Sequence, residues 1–255
     1  MNIGFIGIGK IASSVIFGIC NSKIKYKNIF ISPRNKKISF SLKKKFNKII
    51  ISKNNQEVIN NSDWVFLSVT PQVGEKIIKD LKFRSNQKVI SFISTITLSQ
   101  LKRMIKKKID IVRAIPLPPI SIKEGPVPIC PPNRKIKAFF DKLGSTVEIK
   151  NEKLSINFWS TSGMMASYYN LLDTMSVWLN KKGVKKLDAQ KYVTSLFLAL
   201  SKDAVLNANK DLKLLVKDSQ TPKGLNEQGL KEMIKKDVYK SVTSTLNRIY
   251  KRLDK

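Results

Sequence analysis

Residues Gly7-Ile8-Gly9-Lys10-Ile11-Ala12 follow an apolar run, Asn2–Ile6, and open a small-residue helical pattern, Lys10–Cys20. Strand, glycine turn and helix in that order constrain the fold more than any other stretch, because they prescribe the first βα corner of a parallel sheet. Gly7 permits the tight turn, Gly9 lets main-chain N–H groups approach a pyrophosphate, and Ala12 lets the helix pack close on the strand. Lys10 and Ile11 complete the row of amides at the helix start. The bare pattern is a weak signal, and its place at the head of a βαβ pattern gives it force. The competing reading is a structural turn with no ligand.

The alternation continues. β-rich runs stand at Asn28–Ile31, Trp64–Val69, Val89–Phe92 and Asp110–Ala114, with helical patterns at Lys36–Phe46, Val73–Asp80 and Leu98–Ile105. A parallel α/β sheet is written this way. Thr97 and Ser99 offer caps for the last of these helices. The prolines of RAIPLPPISIKEGPVPICPPN forbid a long helix there. Further strands are expected at Val127–Cys130 and Gly144–Ile149, around a helix at Ile136–Leu143. From about residue 151 the period turns helical. Phe158, Met165, Tyr168, Leu172, Met175 and Leu179 recur at three- and four-residue steps, and Gly183 reads as a stop. Tyr192, Leu196, Leu200 and Ala204 share a face of a second helix that Asp188 would cap, and Asn226 would cap a last one. These apolar stripes read as core. An α/β domain over 1–150 and an all-helical domain over 151–255 are expected.

Charge is the compositional outlier. The 255 residues carry 48 Lys+Arg against 18 Asp+Glu, a formal +30, which raises nucleic acid or an anionic membrane as partners. The cations are scattered among Asn and Ile throughout, as at Lys43–Lys45 and Lys106–Lys108, and no nucleic-acid module is recognisable. A dedicated nucleic-acid role is therefore disfavoured. The sequence has no His and only Cys20 and Cys130, which removes Ser-His and Cys-His nucleophiles and most transition-metal sites. The reactive centre has to be borrowed. No basic segment precedes the first apolar run, and no apolar stretch approaches the roughly 18 to 20 residues that span a bilayer, so a cytoplasmic protein without a membrane segment is expected.

The end of the second strand discriminates between dinucleotides. NAD sites place a carboxylate there for the ribose 2′-hydroxyl, whereas ISPRNKK supplies Ser32, Arg34, Asn35 and Lys36. Those groups suit a 2′-phosphate, with Arg34 able to bind it bidentately, and they favour NADP(H). Arg34 as one more solvated cation is the alternative.

Taken with the glycine corner, DWVFLSVTPQ (63–72), VISFISTITLSQL (89–101), VRAIPLPP (112–119), KEGPVPI (123–129) and TPKGLNEQGL (221–230) stand in the order seen in pyrroline-5-carboxylate reductases, and the chain resembles that family over nearly its whole length. The resemblance implies an N-terminal Rossmann-type parallel sheet plus a C-terminal all-helical dimerisation domain, hence a homodimer or higher homo-oligomer. It implies hydride transfer from a nicotinamide to the C=N carbon of a small cyclic imino acid, giving proline from 1-pyrroline-5-carboxylate. Carried over residue by residue, Val69, Thr70 and Pro71 line the cofactor phosphates and ribose, Ser94 and Thr95 flank the nicotinamide ribose, and Pro116 lies near the ring. Thr221 and the amides of Lys223 and Gly224 meet the substrate carboxylate. Ser160, Ser162 and Gly163 resemble the family's Ser-Gly-Ser-Gly helix start.

Departures fall near the substrate. The Asn of the family's Met-Pro-Asn-Thr-Pro is Leu117, its Pro-Ala-Tyr is Met164-Met165-Ala166, and its Thr-Pro-Gly-Gly-Thr-Thr has become Thr221-Pro222-Lys223-Gly224-Leu225-Asn226. The hydroxyl expected at the imine nitrogen is thus replaced by Leu225 or Asn226. Three readings stay open: the same reaction with compensating contacts, reduction of a different imine, or an NADP-binding homologue without catalysis.

Overall fold

The computed structural model describes residues 1–254. Two compact units divide the chain, Met1–Trp159 and a second that begins at Ser160. In the first, the elements run β1 (Ile3–Ile6), α1 (Lys10–Cys20), β2 (Ile29–Ile31), α2 (Lys36–Lys45), β3 (Ile49–Ile51), α3 (Asn55–Asn60), β4 (Trp64–Leu67), α4 (Pro71–Ile77), β5 (Lys88–Ser91), α5 (Leu98–Ile105), β6 (Asp110–Ala114), β7 (Pro126–Cys130), α6 (Arg134–Phe140) and β8 (Ser145–Glu148). The strands form one sheet in the order β3-β2-β1-β4-β5-β6-β7-β8. All neighbours are parallel except β6 and β7. Strand order reverses direction between β1 and β4, and in an open α/β sheet the crevice beyond the carboxyl ends of such strands receives the ligand.

The Rossmann-type parallel sheet expected from the sequence is found, and within it β7 runs antiparallel to β6, a direction the sequence pattern did not specify. A parallel return needs a crossover of about a dozen residues or more, usually helical. The proline-rich connection over 115–125 allows only a 3-10 turn, Pro118–Ile122, so the chain doubles back. That turn lies hard on α1: a β-carbon at Gly18 would stand 2.5 Å from the Ile120 carbonyl oxygen.

Period-2 alternation sorts the strand side chains between two apolar clusters. Ile3, Phe5, Phe66, Ile90 and Val112 belong to one, Ile6, Val65, Leu67, Val89 and Ile111 to the other. Phe5 and Phe66 stack at 4.7 Å between centroids, and Phe139 and Phe140 of α6 close over them. Thr97 caps α5 through a capping box with Gln100, leaving Ser99 inside the helix.

The boundary at Ser160 falls within α7 (Ser155–Ser162), and the second unit is helical: α8 (Met165–Lys181), α9 (Lys186–Leu206), α10 (Leu212–Asp218), α11 (Leu225–Lys235) and α12 (Val238–Leu253) follow. Three expectations need correction here. The stripe beginning at Phe158 is interrupted, because the chain turns at Gly163 and Met164, whose amides bond to Ser160 and Thr161. Asp188 and Asn226 do not cap; Lys185 and Gly224 hold those positions and the two residues sit in the first turn. Finally, the apolar stripes are not covered within one chain. Tyr192 is 64% exposed, Trp178 59% and Leu200 56%, and Tyr168 keeps only an edge contact with Phe197. Helical periodicity marks which residues seek burial and not which chain covers them. Among the described residues no helix is long and apolar enough to cross a membrane.

Candidate functional site

The site begins with register. Ile6, Leu67, Ser91 and Arg113 stand opposite one another on β1, β4, β5 and β6, all parallel, so the loops that follow these strands leave from a single edge of the sheet. Gly7, Ser68–Thr70, Ser94–Thr95 and Pro116 are carried there by four separate stretches of sequence.

At the first corner Gly7 adopts φ +90°, and a β-carbon on it would meet the Ser68 carbonyl oxygen at 2.5 Å. The fold itself requires glycine at that position. Gly9 differs: its backbone is extended, φ −94° and ψ −169°, and nothing lies within 4 Å of where a β-carbon would sit. Gly9 is the N-cap of α1, yet no side chain caps that helix, whereas α2, α3, α5 and α6 each receive a capping side chain. The glycine corner at the head of α1 opens into a cleft of about 660 Å³, lined among others by Gly7, Gly9, Arg34, Lys36, Val69 and Thr70. Ala12 is fully buried against the sheet. Pro71 opens α4 beside Thr70.

The groups after β2 divide in two. Ser32 is buried, and its hydroxyl accepts a hydrogen bond from the Gly7 amide at 2.8 Å, which pins the glycine turn from inside. Asn35 caps α2 by accepting from the Ile38 amide. Arg34 and Lys36 remain as exposed cations on the cleft wall. Ile8 and Val73, which also line the cleft, carry no signal in the sequence beyond their apolarity.

Farther along the edge, Ser94 is half-buried, Thr95 exposed and Pro116 buried, and the cleft does not reach them. The Ser94 carbonyl accepts a hydrogen bond from Arg113, a buried guanidinium that also pairs with Glu152. Burial pulls the Arg113 pKa down from its usual range, and the Glu152 carboxylate opposes that shift. Sequence reading missed both residues, although an arginine inside the apolar strand IVRAI is a visible signal.

In the helical unit Thr221, Lys223, Gly224 and Asn226 form one turn leading into α11. Lys223 adopts φ 62° and its amide donates to Glu227 Oε2 at 2.6 Å, while the Gly224 amide donates to the Thr221 carbonyl at 2.8 Å. Asn226 turns back to donate to the Ser219 carbonyl at 2.8 Å. Lys231 beside Glu227, together with the Lys223 amide, holds the Glu227 carboxyl below its usual range. The Lys223 and Gly224 amides are thus already engaged by the chain's own acceptors. Ser160, Ser162 and Gly163 lie at the α7–α8 junction, where a β-carbon on Gly163 would touch Ile249 at 3.0 Å.

A reversing parallel sheet whose glycine corner opens into a cation-walled cleft is the frame of a Rossmann-type dinucleotide-binding protein. The pattern described as NADP oxidoreductase coenzyme F420-dependent matches residues 2–96, and that described as pyrroline-5-carboxylate reductase dimerisation matches residues 154–255. The chain is 22% identical to pyrroline-5-carboxylate reductase 2 of Bacillus subtilis, over 91% of its own length and 86% of that protein's. Among solved structures it is similar to 1-pyrroline-5-carboxylate reductase of Streptococcus pyogenes, with a TM-score of 0.83, 23% identity and 99% and 98% of the two chains covered. It is similar also to pyrroline carboxylate reductase of Plasmodium falciparum with NADP bound, with a TM-score of 0.84, 21% identity and 99% and 97% covered. The chain is thus similar to pyrroline-5-carboxylate reductases over nearly its whole length.

Proposed function

We propose that this protein uses NADPH to reduce the C=N bond of a small cyclic imino acid, with 1-pyrroline-5-carboxylate, reduced to proline, as the substrate. The reading rests on Gly9, a glycine that neither backbone conformation nor packing demands, set where the uncapped head of α1 opens into the cleft. Those features fit a pyrophosphate. The amides of Gly9, Lys10, Ile11 and Ala12 hold it, with Gly7 and Ser32 shaping the turn. Val69, Thr70 and Pro71 take the adjoining ribose, Ser94 and Thr95 the second one, and Pro116 bounds the ring. When bound, the cofactor supplies hydride to the imine carbon. Orientation and charge are what the chain adds, which suits a sequence without His. Thr221 contacts the substrate carboxylate or imine, with Ser160, Ser162 and Gly163 completing the substrate side. The matched dimerisation region and the bare apolar helices of the second unit support a homodimer or larger homo-oligomer.

Steady-state NADPH oxidation over a panel of five- and six-membered cyclic imines tests the reaction, with turnover expected on 1-pyrroline-5-carboxylate. Thr221→Ala should raise KM for the imine about tenfold or more while leaving KM for NADPH within about twofold. An unchanged imine KM would remove Thr221 from the site. Arg34→Ala should weaken NADPH about 10- to 100-fold and leave NADH nearly unchanged, since only the former carries the 2′-phosphate. Equal loss of both would remove the phosphate contact.

A second reading is favoured by Glu227. Its carboxylate sits on the Lys223 amide that a substrate carboxylate would otherwise use, so the loop in this state suits an imine without that group. Turnover of 1-pyrroline but not of 1-pyrroline-5-carboxylate would establish that reading over the first.

A further inference from the structure

Arg113 is the one charged residue that is buried among the described residues, 3% exposed on the central strand β6. A buried cation is costly unless it is paired, so the partners of its two terminal nitrogens indicate what it does, Nε having none. One terminal nitrogen donates to the Ser94 carbonyl, the other to Glu152 Oε1. That same carboxylate oxygen accepts from the Leu98 amide, the first of α5, at 2.8 Å. The guanidinium carbon lies over the Trp159 ring, 4.4 Å from its centroid. Arg113 thus grips the β5–α5 loop at Ser94, and through Glu152 it holds the far end of that loop at Leu98. A lysine, with one compact ammonium, cannot reproduce a planar fork that bridges a carbonyl and a carboxylate while lying over an indole.

We propose that Arg113, paired with Glu152, is a positioning residue that sets the Ser94–Thr95 loop for the nicotinamide half of the cofactor. The inference rests on the assignment of Ser94 and Thr95 to the second ribose made under the proposed function. Neither Arg113 nor Glu152 touches the cleft at the first corner, so their effect should be confined to one half of the dinucleotide.

The test uses the full chain and two ligands measured at equilibrium by calorimetry. One is 2′,5′-ADP, which carries only the adenosine half, and the other is NADPH, which spans both halves. Arg113→Lys should bind 2′,5′-ADP within about twofold of the unaltered protein and lose about 10- to 100-fold for NADPH, the scale expected when a bound group is misplaced by about an ångström. Glu152→Gln, which keeps an oxygen for the Leu98 amide, should lose less and in the same direction. If Arg113→Lys unfolds, Glu152→Gln alone decides the question by the same ratio. Equal losses for both ligands, or none for either, would overturn the positioning role and leave the cofactor reading intact. Failure of the unaltered protein to bind either ligand would overturn both.

Discussion

Gly9→Val should abolish dinucleotide binding while leaving the fold undisturbed. The substituted side chain enters open space, and the extended backbone at residue 9 is one that β-branched residues favour, so the melting temperature should stay within about 2 °C of the unaltered protein. The cost falls on the ligand. Two γ-methyl groups at the mouth of the α1 amides hold a pyrophosphate out of hydrogen-bond range, and NADPH affinity should fall at least about 100-fold, roughly 2.7 kcal/mol. Gly7→Ala makes the contrast: with φ +90° and the Ser68 carbonyl in the way, it should lower stability as well as binding. Parallel thermal melts and NADPH titrations of the two variants separate a glycine needed by the chain from one needed by its ligand. Full NADPH affinity in Gly9→Val would show that the corner is only a turn.

Phe66→Ala should be the most damaging truncation in the first unit. The ring is fully buried on β4, stacked on Phe5 and in contact with Phe92, Phe139 and Phe140, so its removal opens a cavity that β1, α6 and the loop after β5 cannot close together. Phe→Ala changes of this kind cost about 3–5 kcal/mol. For a unit of this size that corresponds to a melting temperature lower by roughly 6–20 °C. Because β4 runs directly into Ser68, Val69 and Thr70, NADPH affinity should fall as well. A shift of under about 3 °C in a calorimetric scan would show that the aromatic cluster is not the centre of the core.

How legible all this was in the sequence depended on length and on who covers what. β1, α1, α2 and β6 were readable because each carries a stretch of its own period, and β2, three residues long, because the helical patterns of α1 and α2 bracket it. Ile49–Ile51 and Asn55–Asn60 were not, since a three-residue edge strand and a six-residue helix are too short to display one. Asp188 and Asn226 misled as caps because both precede apolar runs; the helices start two residues and one residue earlier, at Lys186 and Leu225. The stripe through Tyr168, Tyr192 and Leu200 was correctly read as apolar and wrongly read as core of the single chain, since the period does not say what covers a stripe.

At the site the division is similar. The glycine corner could be read from residue types because its chemistry is main-chain and local. Ser32 could not be given its place inside the turn, since a hydroxyl beside Arg34 in sequence gives no sign of reaching Gly7 across the sheet. Arg113 and Glu152 were invisible as a pair because 39 positions separate them and only the register of β5 and β6 brings them to the Ser94 loop. Lys223 invited reading as a cation for the substrate, whereas the structure draws attention to its amide and to Glu227.

The central claim is that main-chain amides at the head of α1 bind the pyrophosphate of NADP(H). A crystal of the protein soaked with NADPH tests it directly. The account predicts pyrophosphate oxygens within hydrogen-bond distance of the amides from Gly9 to Ala12, with the 2′-phosphate against Arg34. An empty corner at saturating cofactor, or a dinucleotide lying elsewhere on the chain, would contradict it.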